Sequence, residues 1–511
     1  MKNIRMLKMK DYIIKRPMLL CAIICCVISF VGFYAPELLL LLGIAQATAV
    51  GFLLFKRSRP QTVFCIIVSI VMTLSMFNSL AKTQQLESLD GTNCKAELVL
   101  CETTYKCEEY YGADVEVINS DKLPKGIKLY AFYNPLDIAS GEIFSADVKI
   151  SKIDEEYRVS NYSEGIYLNA NLSGIAVDNG KNDTVLHYVD KVRTYIKNTT
   201  FSNMGYNESA TVCALVFGDR SYFTDRFYGN IKSAGVMHVM VVSGMHLSIL
   251  VALVCGWLER FVYNRFVKAF TVAMVVLLLI ALCGFTMSML RAGITYWLMS
   301  LSLLLNRKST PENTLGAAVV IILIASPFAI HNLALQLSFL STFGILVIAL
   351  PAVDFVKETR IIKNKALLSM FSVVTISLSA LITTLPVVIY KLGYVSTVSI
   401  ITNLLISSAV TLIIWLCCIG FILNLFTPVV AQPILKLGEI LTAYVNSVIS
   451  FFGKLPFSSV CVSKFLAIPA VILIAVIIKY LLACNVRHNM IKLNLITQKI
   501  IDEGGKKLKW Q

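Results

Sequence analysis

Apolar runs long enough to cross a bilayer recur along almost the whole of this 511-residue chain, and a single polar stretch interrupts them. A hydrocarbon core takes about 20 apolar residues in a helix. Three runs come first, at 17–34, 38–55 and 63–80. Nine more follow at 236–254, 269–285, 287–305, 315–329, 333–350, 367–389, 398–425, 434–452 and 465–484, so the pattern predicts about 12 spans. Between them, residues 90–180 alternate in period two over 95–102, 110–118, 127–133, 143–153 and 166–177. Turn residues part these runs, among them Lys125-Gly126, Asn134-Pro135 and Ser140-Gly141, which is the signature of short strands joined by hairpins. Five strands in so short a segment fit a small closed barrel of the OB kind.

The period changes again after the strands. Val185, Val189, Val192 and Ile196 repeat at helical spacing, with Lys191, Arg193 and Lys197 on the polar side, as in a helix lying in the membrane interface. A second helix over 208–218 ends at Asp219-Arg220, and Asp225-Arg226 repeats that doublet. The fold class read from these patterns is a polytopic α-helical membrane protein with a small β-barrel. Its parts are N-terminal spans over 1–81, a β domain over 82–182, a membrane domain over 183–485 and a basic tail over 486–511.

Composition agrees and adds an orientation. At 57% hydrophobic residues and a mean hydropathy of +0.72, a soluble fold is excluded. The net charge of +15 is unevenly placed: residues 82–190 hold 10 Lys/Arg against 19 Asp/Glu, and the remainder holds 36 against 12. Most of that excess lies in short loops and tails, where Lys and Arg mark the cytoplasmic side. The basic N-terminus is therefore expected inside, on a retained first span, and the acidic β domain outside. Its many tyrosines then read as core or edge residues more readily than as a strand-binding face. Most of the 14 cysteines sit singly in apolar runs, where Cys behaves as a small hydrophobe. In an extracellular domain a disulfide becomes permissible, and Cys101 with Cys107, flanking a hairpin turn, is the expected pair.

The stretch with the most chemistry runs over 235–250. It is apolar enough to enter a span, yet carries His238, Ser243, Gly244 and His246. Polar groups in hydrocarbon cost about 2 to 3 kcal/mol and normally face a protein interior or a wet cavity. On one continuous helix His246 shares a face with Ser243, and His238 lies about 80° from His246. Arg291, Gln336 and Asn403 place further polar groups inside apolar runs. Helix packing explains such residues as readily as a polar path does, and an adjacent Asp-Arg is equally a helix-end charge pair.

His-Val-Met-Val-Val-Ser-Gly-Met-His over 238–246, preceded by Ala-Leu-Val-Phe-Gly-Asp-Arg over 214–220, resembles the signature of the ComEC family, the membrane channel of bacterial natural transformation. Arg291-Ala292, the Gln-Leu-Ser-Phe run at Gln336 and the Asn-Leu-Leu run at Asn403 resemble later motifs of the same family, in the same order. Ser288 and Ser407-Ser408 stand where the family often has proline. The resemblance implies an extracellular OB-like domain and a cytoplasmic-membrane channel for single-stranded DNA. It places His238, Ser243, Gly244, His246 and Arg291 at the pore or its gate, Asp219 and Arg220 at the outer entrance, and Gln336 and Asn403 at helix contacts near the path. It implies as partners single-stranded DNA, an uptake receptor, a cytoplasmic helicase or strand-binding proteins, and a second copy of the chain. Many members also carry a metallo-β-lactamase-like domain. Five histidines without a His-x-His-x-Asp-His cluster do not provide one here, so any nuclease is expected either as a separate polypeptide or not at all.

No cofactor and no catalytic residue is expected. No Gly-x-x-x-x-Gly-Lys-Ser/Thr loop is present, so the chain is not its own ATP motor. Two other readings stay open: an intramembrane hydrolase using Ser243 with a histidine, or a metal on His238, His246 and Asp219, and a membrane scaffold for other uptake proteins.

Overall fold

The computed structural model describes residues 16–476 apart from 40, 47–59, 107–110, 135–137, 139–140, 178–184, 241, 308 and 475. More than half of the second expected span at 38–55, the last part of the final span at 465–484 and the basic tail therefore lie outside the described residues, while Lys464–Ile474 of the final span is an apolar helix. Helices dominate. In chain order α1 is Pro17–Tyr34 and α2 Pro60–Glu87; then come β1 Asn93–Lys106, β2 Tyr111–Ser120, β3 Lys128–Tyr133, β4 Ile143–Ser151, α3 Glu155–Glu164 and β5 Ile166–Val177. Next are α4 Val185–Asn203, α5 Tyr206–Phe217, α6 Asp225–Ser233, α7 Met237–Met240, α8 Gly244–Phe261, α9 Arg265–Leu282, α10 Met287–Leu304 and α11 Pro311–Ala325. The rest comprises α12 Leu333–Thr359, α13 Lys365–Leu392, β6 Tyr394–Ser396, α14 Ser399–Phe426, α15 Pro428–Gly453 and β7 Ser459–Cys461. Seven of the described helices are long and apolar enough to cross a membrane: α1, α2 from Thr62 on, α9, α12, α13, α14 and α15.

The five strands close into a barrel in the order β1-β2-β3-β5-β4, with β3 and β5 parallel and the other pairs antiparallel. Alternation builds it. Along β4 every second side chain, Phe144, Ala146, Val148 and Ile150, is buried, while Ser145, Asp147 and Lys149 face out. These join Leu98, Leu100, Val115, Leu129 and Leu168 in one core. The short helix α3 between β4 and β5 has no apolar periodicity in sequence; it starts after Asp154 with Glu155 and Glu156 in its first turn and stops at Gly165, whose φ of 84° is the left-handed conformation of a helix end.

Helix α2 runs almost directly into β1, and α3 seats the barrel on the membrane helices. Glu87, the last residue of α2, accepts a 2.5 Å hydrogen bond from the Tyr162 hydroxyl and pairs with Arg158 at 3.1 Å. Burial, with the Glu87 carboxylate beside it, pushes the Tyr162 phenol above its usual range. The Tyr162 and Tyr167 rings lie 5.6 and 6.3 Å from Phe328, in the short 3-10 turn Pro327–His331 that joins α11 to α12. Phe328 in turn meets Phe33 of α1 edge-on, and the His331 ring lies tilted against Phe33 at 4.6 Å. The barrel, the end of α1, the end of α2 and the α11–α12 turn thus share one end of the molecule.

Elsewhere the bundle is held by close backbone approach. A Cβ on Gly316 of α11 would fall 2.6 Å from the Met18 carbonyl, so only glycine lets α1 and α11 touch. A further core gathers α5, α6, α8, α14 and α15 around Val212, Leu215, Ile231, Ile406, Val410 and Leu435. The amphipathic helix α4 docks by its buried Val189 and Ile196, while Arg193 donates to the Leu282 and Ala281 carbonyls that end α9.

Candidate functional site

The span expected at 236–254 is not one helix. It is a four-residue turn, α7, followed by an extended step at Ser243 (φ −132°, ψ 172°) and a new helix that begins at Gly244. The cause is local. The Ser243 amide, which a continuous helix needs as a donor to the preceding turn, is spent on His246 Nδ1 at 3.2 Å, and the Ser243 hydroxyl accepts from the Met245 amide at 3.3 Å. A capping box formed this way satisfies the first turn of α8 and starts it afresh. The angular relation expected between His238 and His246 is therefore lost: His238 lies on α7 and is exposed, whereas His246 is buried at 1%.

The loop from α5 to α6 lies alongside this break. Gly218, which ends α5, packs against Val242. Asp219 accepts from the Ser221 amide and hydroxyl at 2.9 and 2.6 Å, so its carboxylate shapes the loop. Arg220 is exposed. Thr224 caps α6 through the Phe227 amide, which places Asp225 in the first turn of that helix, where a carboxylate is favoured by the helix dipole. Among the described residues neither Asp-Arg doublet forms an ion pair.

Across the break, three helix starts converge. Arg291, in the second turn of α10, is 6% exposed. Its Nε donates to Ser338 Oγ of α12 at 2.8 Å, and Ser288 of α10 donates to the same oxygen at 3.1 Å. Its Nη2 lies only 3.0 Å from the position that a Cβ on Gly244 would occupy. Gly244 therefore leaves room for a guanidinium at the head of α8. No described carboxylate pairs with Arg291.

The other expected residues divide. Gln336 is one short step from Ser338 along α12, but its amide donates to the Ile330 carbonyl at 2.7 Å. Asn403 is on α14 and donates to Ser377 of α13 at 2.7 Å, a contact between two other helices. Ser407 and Ser408 lie within α14, which continues through them unbroken. Cys101 is in β1, and Cys107 falls outside the described residues, so the expected disulfide does too.

The arrangement bears directly on hydrolysis. Ser243 Oγ is 3.1 Å from His246 Nδ1, within reach for a nucleophile and base. That same nitrogen already accepts from the Ser243 amide, while His246 Nε2 is buried with no hydrogen-bond partner among the described residues. Among the described residues no side chain hydrogen-bonds to His246 Nε2 to orient the pair. Nor do three His, Cys, Asp or Glu side chains gather as a metal site among the described residues, and His238, His246 and Asp219 do not form one.

The role of two residues escaped the sequence reading, which met Ser288 only as a replacement for proline and Ser338 only as part of a motif. Ser338 and Ser288 are the partners that hold the arginine, and serines inside apolar runs are too common to single out. The available signal was position: Ser338 is the serine of the Gln-Leu-Ser-Phe run, and Ser288 stands one turn before Arg291.

Comparison with known proteins gives the lineage. A family model described as "Competence protein" matches residues 215–487, more than half of the chain and all of the site just described. An uncharacterized protein, the MG316 homolog of Mycoplasma pneumoniae, is 35% identical over 117 residues, 23% of this chain and 30% of that protein. Uncharacterized protein MG316 of Mycoplasma genitalium is 27% identical over 209 residues, 41% of this chain and 50% of its own length. ComE operon protein 3 of Bacillus subtilis is 23% identical over 249 residues, 48% of this chain and 31% of that protein. The matched stretch thus spans about a third to a half of each of these relatives. No solved structure matches. A matched domain that takes in the Asp-Arg loop, the Ser-Gly-Met-His break and the buried arginine makes this chain a member of the Competence protein family, the ComEC family.

Proposed function

We propose that this chain forms the cytoplasmic-membrane channel through which single-stranded DNA enters a bacterium during natural transformation. One observation carries the reading beyond family membership: a buried guanidinium with no carboxylate partner among the described residues, set between three helix starts. A polyanion needs cations and small polar groups along a wet path, whereas a structural arginine inside a membrane protein is usually paired. Asp219 and Arg220, beside the break, form the outer entrance, with His238, Ser243, Gly244, His246 and Arg291 at the gate. The strand order and closure of the barrel support an OB-like domain, and its acidic balance against the basic loops supports an extracellular position. About 12 spans result when α8, α10, α11 and the segments outside the described residues are added to the seven long helices.

We assign no catalytic step to the chain. Energy comes from a partner helicase or from strand capture inside, and degradation of the complementary strand from a separate metallo-β-lactamase-like protein. The test is direct. Cells with and without the chain are given labelled duplex DNA, and label is scored as surface-bound or protected inside. The proposal expects binding to persist and protected single strand to disappear without the chain; unchanged protection contradicts it.

A further inference from the structure

A basic surface that carries tyrosines lies at the barrel end of the membrane domain. Strands β6 and β7 pair antiparallel, Tyr394 opposite Cys461 and Ser396 opposite Ser459. This small sheet is fastened to α6, because the Ser396 hydroxyl donates to the Ser233 carbonyl at 2.8 Å. The end of α15 touches the same helix: a Cβ on Gly453 would fall 2.6 Å from the Asn230 carbonyl. Lys232 of α6 places its ammonium 4.6 Å from the centre of the Tyr394 ring, and burial, with the Tyr228 phenol beside it, pushes the Tyr394 phenol up. Tyr228 stands one turn before Lys232 and is 40% exposed. On the other side of the sheet the Val462 amide donates to the Gly393 carbonyl at 2.9 Å, which brings Lys391 and Lys464 to one end. Lys391 is close enough for its charge to act on His331, so the sheet borders the α11–α12 turn on which the barrel sits.

The charges here are one-sided. Residues 226–235, 390–400 and 453–466 hold Arg226, Lys232, Lys391, Lys454 and Lys464, all exposed, and no Asp or Glu. The nearest acid in sequence to Lys232 is Asp225, at the opposite end of α6. In the orientation proposed above these are outer segments, where Lys and Arg are normally sparse, so topology does not account for them. An ammonium over a ring face keeps N–H groups for an anion. Lysines spread over a surface with tyrosines among them offer what a single strand needs, cations for its phosphates and ring faces for its bases. The surface also adjoins the break in the central span: a Cβ on Gly235, between α6 and α7, would fall 2.5 Å from the Ser396 Cβ.

We infer that α6 and the β6–β7 sheet form a landing surface for single-stranded DNA beside that break, with Lys232, Lys391, Lys454 and Lys464 on its phosphates and Tyr228 under a base. This rests on the channel reading and gives the strand a place to bind before it enters.

The test uses the purified full-length chain in nanodiscs of zwitterionic lipid, with the affinity for fluorescent oligothymidylate measured against salt. For a single strand, log affinity falls with log salt by about 0.7 for each phosphate neutralised. Combining Lys232→Gln, Lys391→Gln and Lys464→Gln should therefore flatten the slope by about 2. Tyr228→Ala should weaken binding roughly five- to a hundredfold at an unchanged slope, and Tyr228→Phe should restore it. Lys357→Gln, in the last turn of α12 at the opposite end of that helix, should change neither quantity. A wild-type slope in the triple variant, or no binding of oligothymidylate by wild type, overturns the surface. Nanodiscs with anionic lipid supply the competing polyanion: if the three lysines alter lipid retention and leave oligothymidylate binding alone, the surface belongs to headgroups and the inference fails. Cells separate the two readings. Protected single strand in cells lacking the chain removes the channel while the binding data still support the surface, whereas uptake that requires the chain but is unchanged in the triple variant keeps the channel and overturns the landing surface.

Discussion

Ser243 decides where one helix stops and another starts, and it does so with two hydrogen bonds that any polar pair at that spacing could make. Replacing it with Ala removes the acceptor for Met245 and should lower stability by about 1 kcal/mol, seen as a lower thermal midpoint of the purified protein; a midpoint equal to wild type would mean that the cap contributes nothing. A second residue responds to acid. His331 is buried among Phe30, Phe33 and Tyr34, and burial, helped by the charge of Lys391, pushes its imidazole from the usual 6.5 down to about 4. Its folded form stays neutral while the unfolded chain takes up a proton, so its contribution to stability is full above about 6.5 and falls as pH drops toward about 4. His331→Phe should flatten the stability profile over that range, and an unchanged acid slope would place the sensitivity elsewhere. At this scale the sequence was readable only in part. His238, Ser243, His246 and Arg291 stand out because polar groups inside apolar runs are rare, but whether they meet depends on a break that apolar composition conceals. The capping pattern, a serine three residues before a side chain able to accept from its amide, was the signal that the span was two pieces.

Strands were legible where one face is wet and the other dry. The five expected runs each overlap an observed strand, and 166–177 matches β5 at both ends, because alternation of buried and exposed positions is the same fact in sequence and in structure. Helix α3 was missed for the converse reason: it is short, polar and amphipathic only weakly, although Asp154, the acidic first turn and Gly165 were its end signals. Yet this helix seats the barrel. Tyr162→Phe removes a hydrogen bond to a charged group, about 1.5 to 3 kcal/mol in a buried setting and less here because Glu87 keeps 26% of its side-chain surface in water. Limited proteolysis between α2 and β1 should become faster in Tyr162→Phe, whereas Tyr157→Phe, an exposed tyrosine of the same helix, should leave the rate alone; equal rates in both would show that the latch does not hold the barrel.

For the whole molecule, the length of the apolar runs carried most of the information. Among the described residues the apolar runs of span length are mainly helical, that at 236–254 in two pieces, since backbone groups in hydrocarbon must bond within their own segment. The convergence of α8, α10 and α12 was not readable, because nothing in one sequence says which helix ends meet. Orientation has its own check. A cysteine placed at Lys125, in the turn between β2 and β3, should react with a membrane-impermeant maleimide in intact cells; reaction only after permeabilisation would invert the topology.

The central claim is that a polyanion passes the buried arginine, and the most direct measurement is single-strand uptake in cells carrying Arg291→Lys, Arg291→Gln or Arg291→Glu, normalised to the amount of each protein in the membrane. Attraction of phosphates along a path requires a positive charge there, so Lys should retain the most uptake, Gln less and Glu the least. Uptake equal to wild type in all three would take Arg291 out of the path and contradict the account.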